Sequence, residues 1–257
     1  MTPLDQAYAA MAADTKDDNA RLTYYGRLAD DELVLLVEEE AQGGTITPRV
    51  FPLEGGPYVL AFDSEEKLSA FTGSINAYAA LPGRVIAQQL AGQQIGLGIN
   101  LGADSAMLLP PDAVDWLAGT LSHGPEAAEA QPTGFQAPQV PQRLLDGLGQ
   151  KLARAGGLAS HALIAGVSYS DGRNGHLLAF IGAREGAEEA LARAASEALT
   201  FSGIDAGEMD VVCLPDGPAA RRMAEIGMRL DMPAPVAPEA PAPKAPGSDP
   251  DKPPRLR

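Results

Sequence analysis

Arg84 is the side chain whose type and setting most invite a binding role. It follows Leu81-Pro82-Gly83, where an extended segment gives way to a predicted helix, in a stretch dominated by acidic residues. Its planar donor fork suits a carboxylate on a partner; an ion pair within the chain, or water, would also satisfy it. Tyr78 and Trp116 offer amphipathic contact area in the same region of sequence. Gly96, Gly98 and Asn100 form a second group. Together with Arg84 they would line a small-metabolite pocket; the bland alternative is that the two glycines admit a tight strand or a bulge.

No set of residues converges on catalysis, so no catalytic residue is assigned. Gly96, Gly98 and Gly102 do not make G-x-G-x-x-G, and the chain has no G-x-x-x-x-G-K-[ST] sequence. Gly166-Val-Ser-Tyr-Ser170 misses the nucleophile elbow because Ser170 stands where glycine is required. His123, His161 and His176 are scattered, and the only cysteine is Cys213 in an apolar run, so no metal ligands and no cofactor are expected. Asp63, Glu65, Glu66, Asp112 and Asp115 sit at predicted helix starts, where free N–H groups favour carboxylates without any acid–base role.

The elements that must position these residues fall into two α+β modules. In the first, 1–121, helices are expected over Pro3–Ala12 and Asp18–Leu28 and strands over Leu33–Val37, Thr47–Leu53 and Tyr58–Phe62, the last two joined by Glu54-Gly-Gly-Pro57. Asp63 with Glu66 reads as a capping box for a short helix ending at Phe71, and Pro82 starts the next. Ile95–Asn100 and Ala106–Leu109 read as strands, and Pro111 suits a first helical turn. Residues 122–139 read as a flexible linker. The second module, 140–232, opens with a helix whose Leu144, Leu145, Leu148 and Leu152 share one face, a core stripe that could also serve a homo-oligomer. A hairpin follows, across which His161 and His176 could face each other, then a helix over Gly186–Phe201, a strand over Met209–Leu214 and a short helix from Pro218. Residues 233–257 hold nine prolines and read as a disordered tail.

Formal charge is -15, and 17 acidic against 6 basic residues in 1–123 place -11 of it in the first module. That disfavours nonspecific nucleic-acid binding and anionic membranes. No apolar run approaches the roughly 20 residues of a membrane span. One cysteine excludes an internal disulfide, and a cytoplasmic setting is expected. The combined reading is a nonenzymatic regulatory or scaffolding protein that acts through protein contacts, with a small-metabolite binder or an unrecognised enzyme as the alternative.

Tyr58–Phe71, Leu81-Pro-Gly-Arg84, the Gly96–Gly102 segment and Leu109-Pro-Pro-Asp-Ala-Val-Asp-Trp-Leu117, in that order, resemble the N-terminal domain of the SseB family over about Asp18–Leu121. Pro141–Leu230 is similar, less distinctively, to that family's C-terminal domain. The resemblance implies a bacterial cytoplasmic protein related to the enhanced serine sensitivity protein. It brings no catalytic motif that can be carried over to residues of this chain.

Overall fold

The computed structural model describes residues 1–39, 46–124, 131–203 and 209–234. The first module runs α1 (Pro3–Ala13), α2 (Asp18–Asp30), β1 (Glu32–Leu36), β2 (Val50–Leu53), β3 (Gly56–Phe62), α3 (Glu65–Thr72), β4 (Tyr78–Pro82), α4 (Gly83–Leu90), β5 (Gly96–Ile99), β6 (Met107–Leu109) and α5 (Pro111–Ser122). Its six-stranded sheet has the order β4-β1-β3-β5-β6, with β2 sharing an edge of β3 with β1. Only β3 and β5 pair in parallel; the other neighbours are antiparallel.

Alternation along the strands sorts side chains between two faces. Leu33, Leu35, Val59, Ala61, Leu97 and Ile99 face the larger core with Leu28 of α2, Ile86 of α4 and Val114 and Leu117 of α5. Val34, Leu36, Leu60 and Phe62 face the other way and are covered by Leu68 of α3. The chain therefore builds one thick and one thin layer on a single sheet.

The second module contains β7 (Pro132–Gln136), α6 (Gln142–Arg154), β8 (His161–Tyr169), β9 (Asn174–Ile181), α7 (Glu188–Phe201), β10 (Met209–Leu214), α8 (Pro218–Ala224) and β11 (Met228–Asp231). The order is β10-β9-β8-β11, and β7 takes the part of the β8 edge that β11 leaves free. α6 and α7 cover one face through Leu144, Leu148, Leu152 and Leu191, packed on Ile164, Leu178 and Phe180. Ala220 and Met223 of α8 cover the other.

Several expectations need correction. Within 122–139, Pro132–Gln136 is a strand rather than linker, because Thr133 and its neighbours find an open edge of β8 to pair with. Asp63 does not cap α3: Ser64 does, accepting from the Lys67 amide, which releases the Asp63 carboxylate for contacts described below. Tyr78–Pro82, read only as the approach to a helix, is an edge strand along the full length of β1. His161 lies opposite Ile181 and His176 opposite Gly166, so the two histidines occupy different ends of the hairpin. The leucine stripe of α6 packs in its own module's core, as its spacing predicts. The proline-rich tail beyond Ala234 lies outside the described residues.

The modules meet where α7 lies against α2. Phe201, at the end of α7, belongs to the core of the first module. It reaches that core because Gly26 leaves the α2 surface bare: a Cβ there would stand 2.9 Å from the Phe201 Cβ and 3.0 Å from its Cγ. Phe201→Ala is expected to lower stability by about 3–5 kcal/mol, and Gly26→Ala by about 1–3 kcal/mol through overpacking. Urea unfolding monitored at Trp116, in the first module, measures both. Coupling between these two substitutions, rather than simple addition, is the expected result.

Candidate functional site

A cleft of about 560 Å³ opens at this junction, lined by Asp30, Arg84, Lys151, Arg154, Arg193 and Glu197 among others. Its chemistry begins with α2. A helix C-terminus presents unpaired carbonyls and favours cations, yet α2 ends in Asp30 and Asp31. Four cations answer that concentration of negative charge: Arg27, one turn back on α2, donates to Asp31 Oδ2 at 3.0 Å, and three come from other helices. Arg84, in the first turn of α4, donates to Asp30 Oδ1; Lys151 of α6 donates to the same carboxylate at 2.8 Å; Arg154 donates to the Asp30 carbonyl and to Asp31.

Glu197 of α7 completes the cluster from the second module. Its oxygens accept from Arg84 Nη1 and Nη2, each at 2.9 Å, and from Lys151 Nζ at 2.6 Å. Glu197 is 5% exposed and Lys151 9%, so both charges are withdrawn from water. Burial alone would raise the Glu197 pKa, but Arg84 and Lys151 outweigh it and hold the carboxyl below its ordinary range. Arg84 is correspondingly pushed up: burial opposes its charge, and Glu197 and Asp30 more than compensate. The arginine fork is thus filled by two carboxylates of its own chain.

The other candidates do not join Arg84. Gly96 and Gly98 are buried in β5, where a Cβ would collide with the Tyr58 ring in one case and stand 2.7 Å from Leu60 Cδ2 in the other. They let neighbouring side chains cross the sheet face and do not line the cleft. Tyr78 and Trp116 are exposed but lie on opposite sides of the first sheet. Trp116 packs edge-on against Tyr25 of α2, ring centroids 5.2 Å apart, on the thick side. Ala79 and Leu81 of β4 face that side, so alternation turns Tyr78 to the other, where its hydroxyl donates to Glu65 of α3. One contact patch containing Arg84, Tyr78 and Trp116 is not formed.

Asn100 belongs to a second polar cluster, at the C-terminal ends of β3 and β5. It is fully buried with φ of 50°, in the left-handed region. Its Oδ1 accepts from the Asp63 amide at 3.0 Å and its Nδ2 donates to Ser105 Oγ at 3.1 Å. Ser105 donates to Asp5 Oδ1 at 2.6 Å, and Lys67 donates to the same oxygen at 2.5 Å and to Asp63 Oδ2 at 2.8 Å. Thr2 caps α1 reciprocally with Asp5 and donates from its hydroxyl to Asp63 at 2.5 Å. Burial acts to raise the Asp5 pKa, but the bonds from Lys67, Ser105 and Thr2 prevail and hold it far below the usual carboxylate range.

Sequence reasoning singled out Arg84 and Asn100 and missed their partners. Asp30, Lys151 and Glu197 come from three helices, and Asp5, Lys67 and Ser105 from two helices and a loop. The available signals were acidic residues at a helix C-terminus and a lysine and a glutamate on otherwise apolar helix faces. Among the described residues no group of three or more His, Cys, Asp or Glu side chains is arranged to hold a metal ion, and no helix is long and apolar enough to cross a membrane. Cys213 is half-buried, and burial with the nearby Glu188 charge pushes its thiol up, away from an activated thiolate.

Comparison with known families matches residues 4–116 to the SseB protein N-terminal domain; the match stops short of the second module. No curated protein and no solved structure matches the chain.

Glu197→Gln turns one of the two carboxylates shared by Arg84 and Lys151 into a neutral acceptor and leaves Asp30 to balance both. It is expected to destabilise the chain by about 3 kcal/mol, the low end for a broken buried pair because Arg84 keeps contact with water. Asp5→Asn is expected to cost about 1–3 kcal/mol at neutral pH. The sign with pH follows from the depressed folded-state pKa: Asp5 contributes fully above its ordinary value of 3.8, and the contribution fades as pH falls below that value. Urea midpoints of wild type and Asp5→Asn, measured from pH 7 down to pH 3, should therefore converge toward the acid end; a constant gap would contradict the assignment.

Proposed function

We propose that this chain, whose residues 4–116 form an SseB protein N-terminal domain, is a nonenzymatic regulatory or scaffolding protein that works through protein contacts in the cytoplasm. The observation that carries the reading is how the polar and aromatic candidates divide. Arg84 and Asn100 are consumed by partners within the chain, while Trp116 remains 44% exposed and Tyr78 41%. Arg84, tied to carboxylates on both α2 and α7, is poorly placed to bind and release substrate. An exposed aromatic with its inner edge packed, as Trp116 is against Tyr25, suits a protein contact. The acidic first module argues against nucleic acid as the partner.

The alternative is a small-metabolite binder, and one feature favours it: Arg84 does line a cleft. In that reading the site is the junction between modules, which Arg84 lines without Gly96, Gly98 or Asn100.

Affinity capture from native lysate at low and moderate salt, run in parallel with wild type, Trp116→Ala and Tyr78→Ala, tests the first reading. The expected outcome is a reproducible partner whose recovery falls about tenfold with Trp116→Ala, as for a contact hot spot. Absence of any reproducible partner, together with a measured turnover, overturns it. A saturable thermal shift with an amino acid, nucleotide or organic acid, lost in Arg84→Met, would favour the alternative.

A further inference from the structure

β3 and β5 are the parallel pair of the first sheet, so their C-terminal ends stand side by side. In open α/β sheets ligands are held beyond the carboxyl ends of parallel strands; this mixed sheet has one such pair. Here that space contains Asp63 directly after β3, Asn100 directly after β5, Lys67 from the first turn of α3 and Ser105 from the loop before β6. Asn100 and Ser105 are the only buried polar residues of this module among the described residues, and Asn100 holds a backbone conformation that an L side chain seldom adopts. Such a conformation persists only where surrounding contacts enforce it.

Lys67 Nζ and Ser105 Oγ converge on one point, and that point is occupied by Asp5 Oδ1, at 2.5 and 2.6 Å. Asn100 fixes the serine from behind. The carboxylate arrives on α1, an alanine-rich helix with Leu4 as its only buried residue. Leu4, Ala7, Tyr8 and Met11 make its apolar contact with the core. Tyr24, which meets α1 through the Tyr8 ring at 6.1 Å between centroids, is fully buried and its hydroxyl has no hydrogen-bond partner.

We propose that Lys67 and Ser105, held in place by Asn100, form a carboxylate-binding site at the ends of β3 and β5, and that α1 plugs it in cis with Asp5. The ligand is a carboxylate, either a free organic acid or an acidic side chain on a peptide. Its recognition is charge-assisted and directional, from an ammonium and a hydroxyl to one oxygen. Binding requires α1 to leave, so the plug sets a threshold on ligand concentration.

The test uses the full chain and two probes, sodium acetate at constant ionic strength and a fluorescent peptide of sequence Thr2–Ala13. Asp5→Asn removes the charge of the internal competitor and should bind the peptide about tenfold more tightly than wild type; Asp5→Asn with Lys67→Met should lose that gain. Acetate displacing the peptide points to a free acid; peptide binding that acetate does not disturb points to a chain-borne carboxylate. Equal binding by wild type and Asp5→Asn, or none by either, overturns the proposal. If Asp5→Asn does not fold, amide exchange in wild type decides. The α1 amides should exchange about tenfold or more faster than those of β3 and β5, through local opening, and acetate should accelerate them further. Exchange of α1 only by global unfolding would make the cluster a fixed brace and end the idea.

Discussion

The end of α2 sets the arrangement of the whole molecule. Two carboxylates there add to the negative pole of the helix, and neither could be buried without cations. Arg84 comes from the adjacent edge of the same sheet because β4 delivers Pro82 beside Glu32, immediately after α2. Lys151 and Arg154 come from the second module, whose α6 ends where its own carbonyls also favour cations. Glu197 then balances Arg84 and Lys151 from α7. Each charge answers one already placed, and the chain of compensation crosses the module boundary twice. Only with Gly26 bare and Phe201 seated does α7 come close enough for Glu197 to take part.

This joint makes the two modules interdependent. Phe201 contributes apolar surface to a core that the first module otherwise builds from its own sheet and helices. A buried ion cluster adds little net stability by itself, but it penalises any docking that leaves a member unpaired. The apolar contact supplies the attraction and the charges supply the register.

The sequence was most legible where periodicity is local. The α6 leucines, the β8–β9 hairpin and the strand-to-helix passages at Phe62 and Pro82 all follow from spacing within a short window. β4 was not legible, because Tyr-Ala-Ala-Leu-Pro carries weak strand preference and ends in proline; pairing with all of β1 at a sheet edge overrides that. β7 was hidden in a segment rich in proline and glycine for the same reason. The capping box at Asp63 was a sound local pattern defeated from outside: Thr2 and Lys67 claim the carboxylate, and Ser64 takes the cap. Arg84 invites a carboxylate, and those it holds are within the chain, on α2 and α7, 54 and 113 residues away in sequence. No single window contains such a site.

The two polar clusters share a chemistry and differ in what holds them. In each, a carboxylate from one helix receives a lysine and at least one further donor. Glu197 is carried by α7, a helix with Leu191, Ala195, Ala198, Leu199 and Phe201 buried beside it. Asp5 is carried by α1, with Leu4 alone buried. The cost of separating a helix from its neighbours follows the apolar area re-exposed far more than the ion pairs broken, since water and counter-ions recover most of the latter. The same pairing therefore sits in a firmly packed joint at the inter-module cleft and, at the ends of β3 and β5, on a helix with less buried apolar surface.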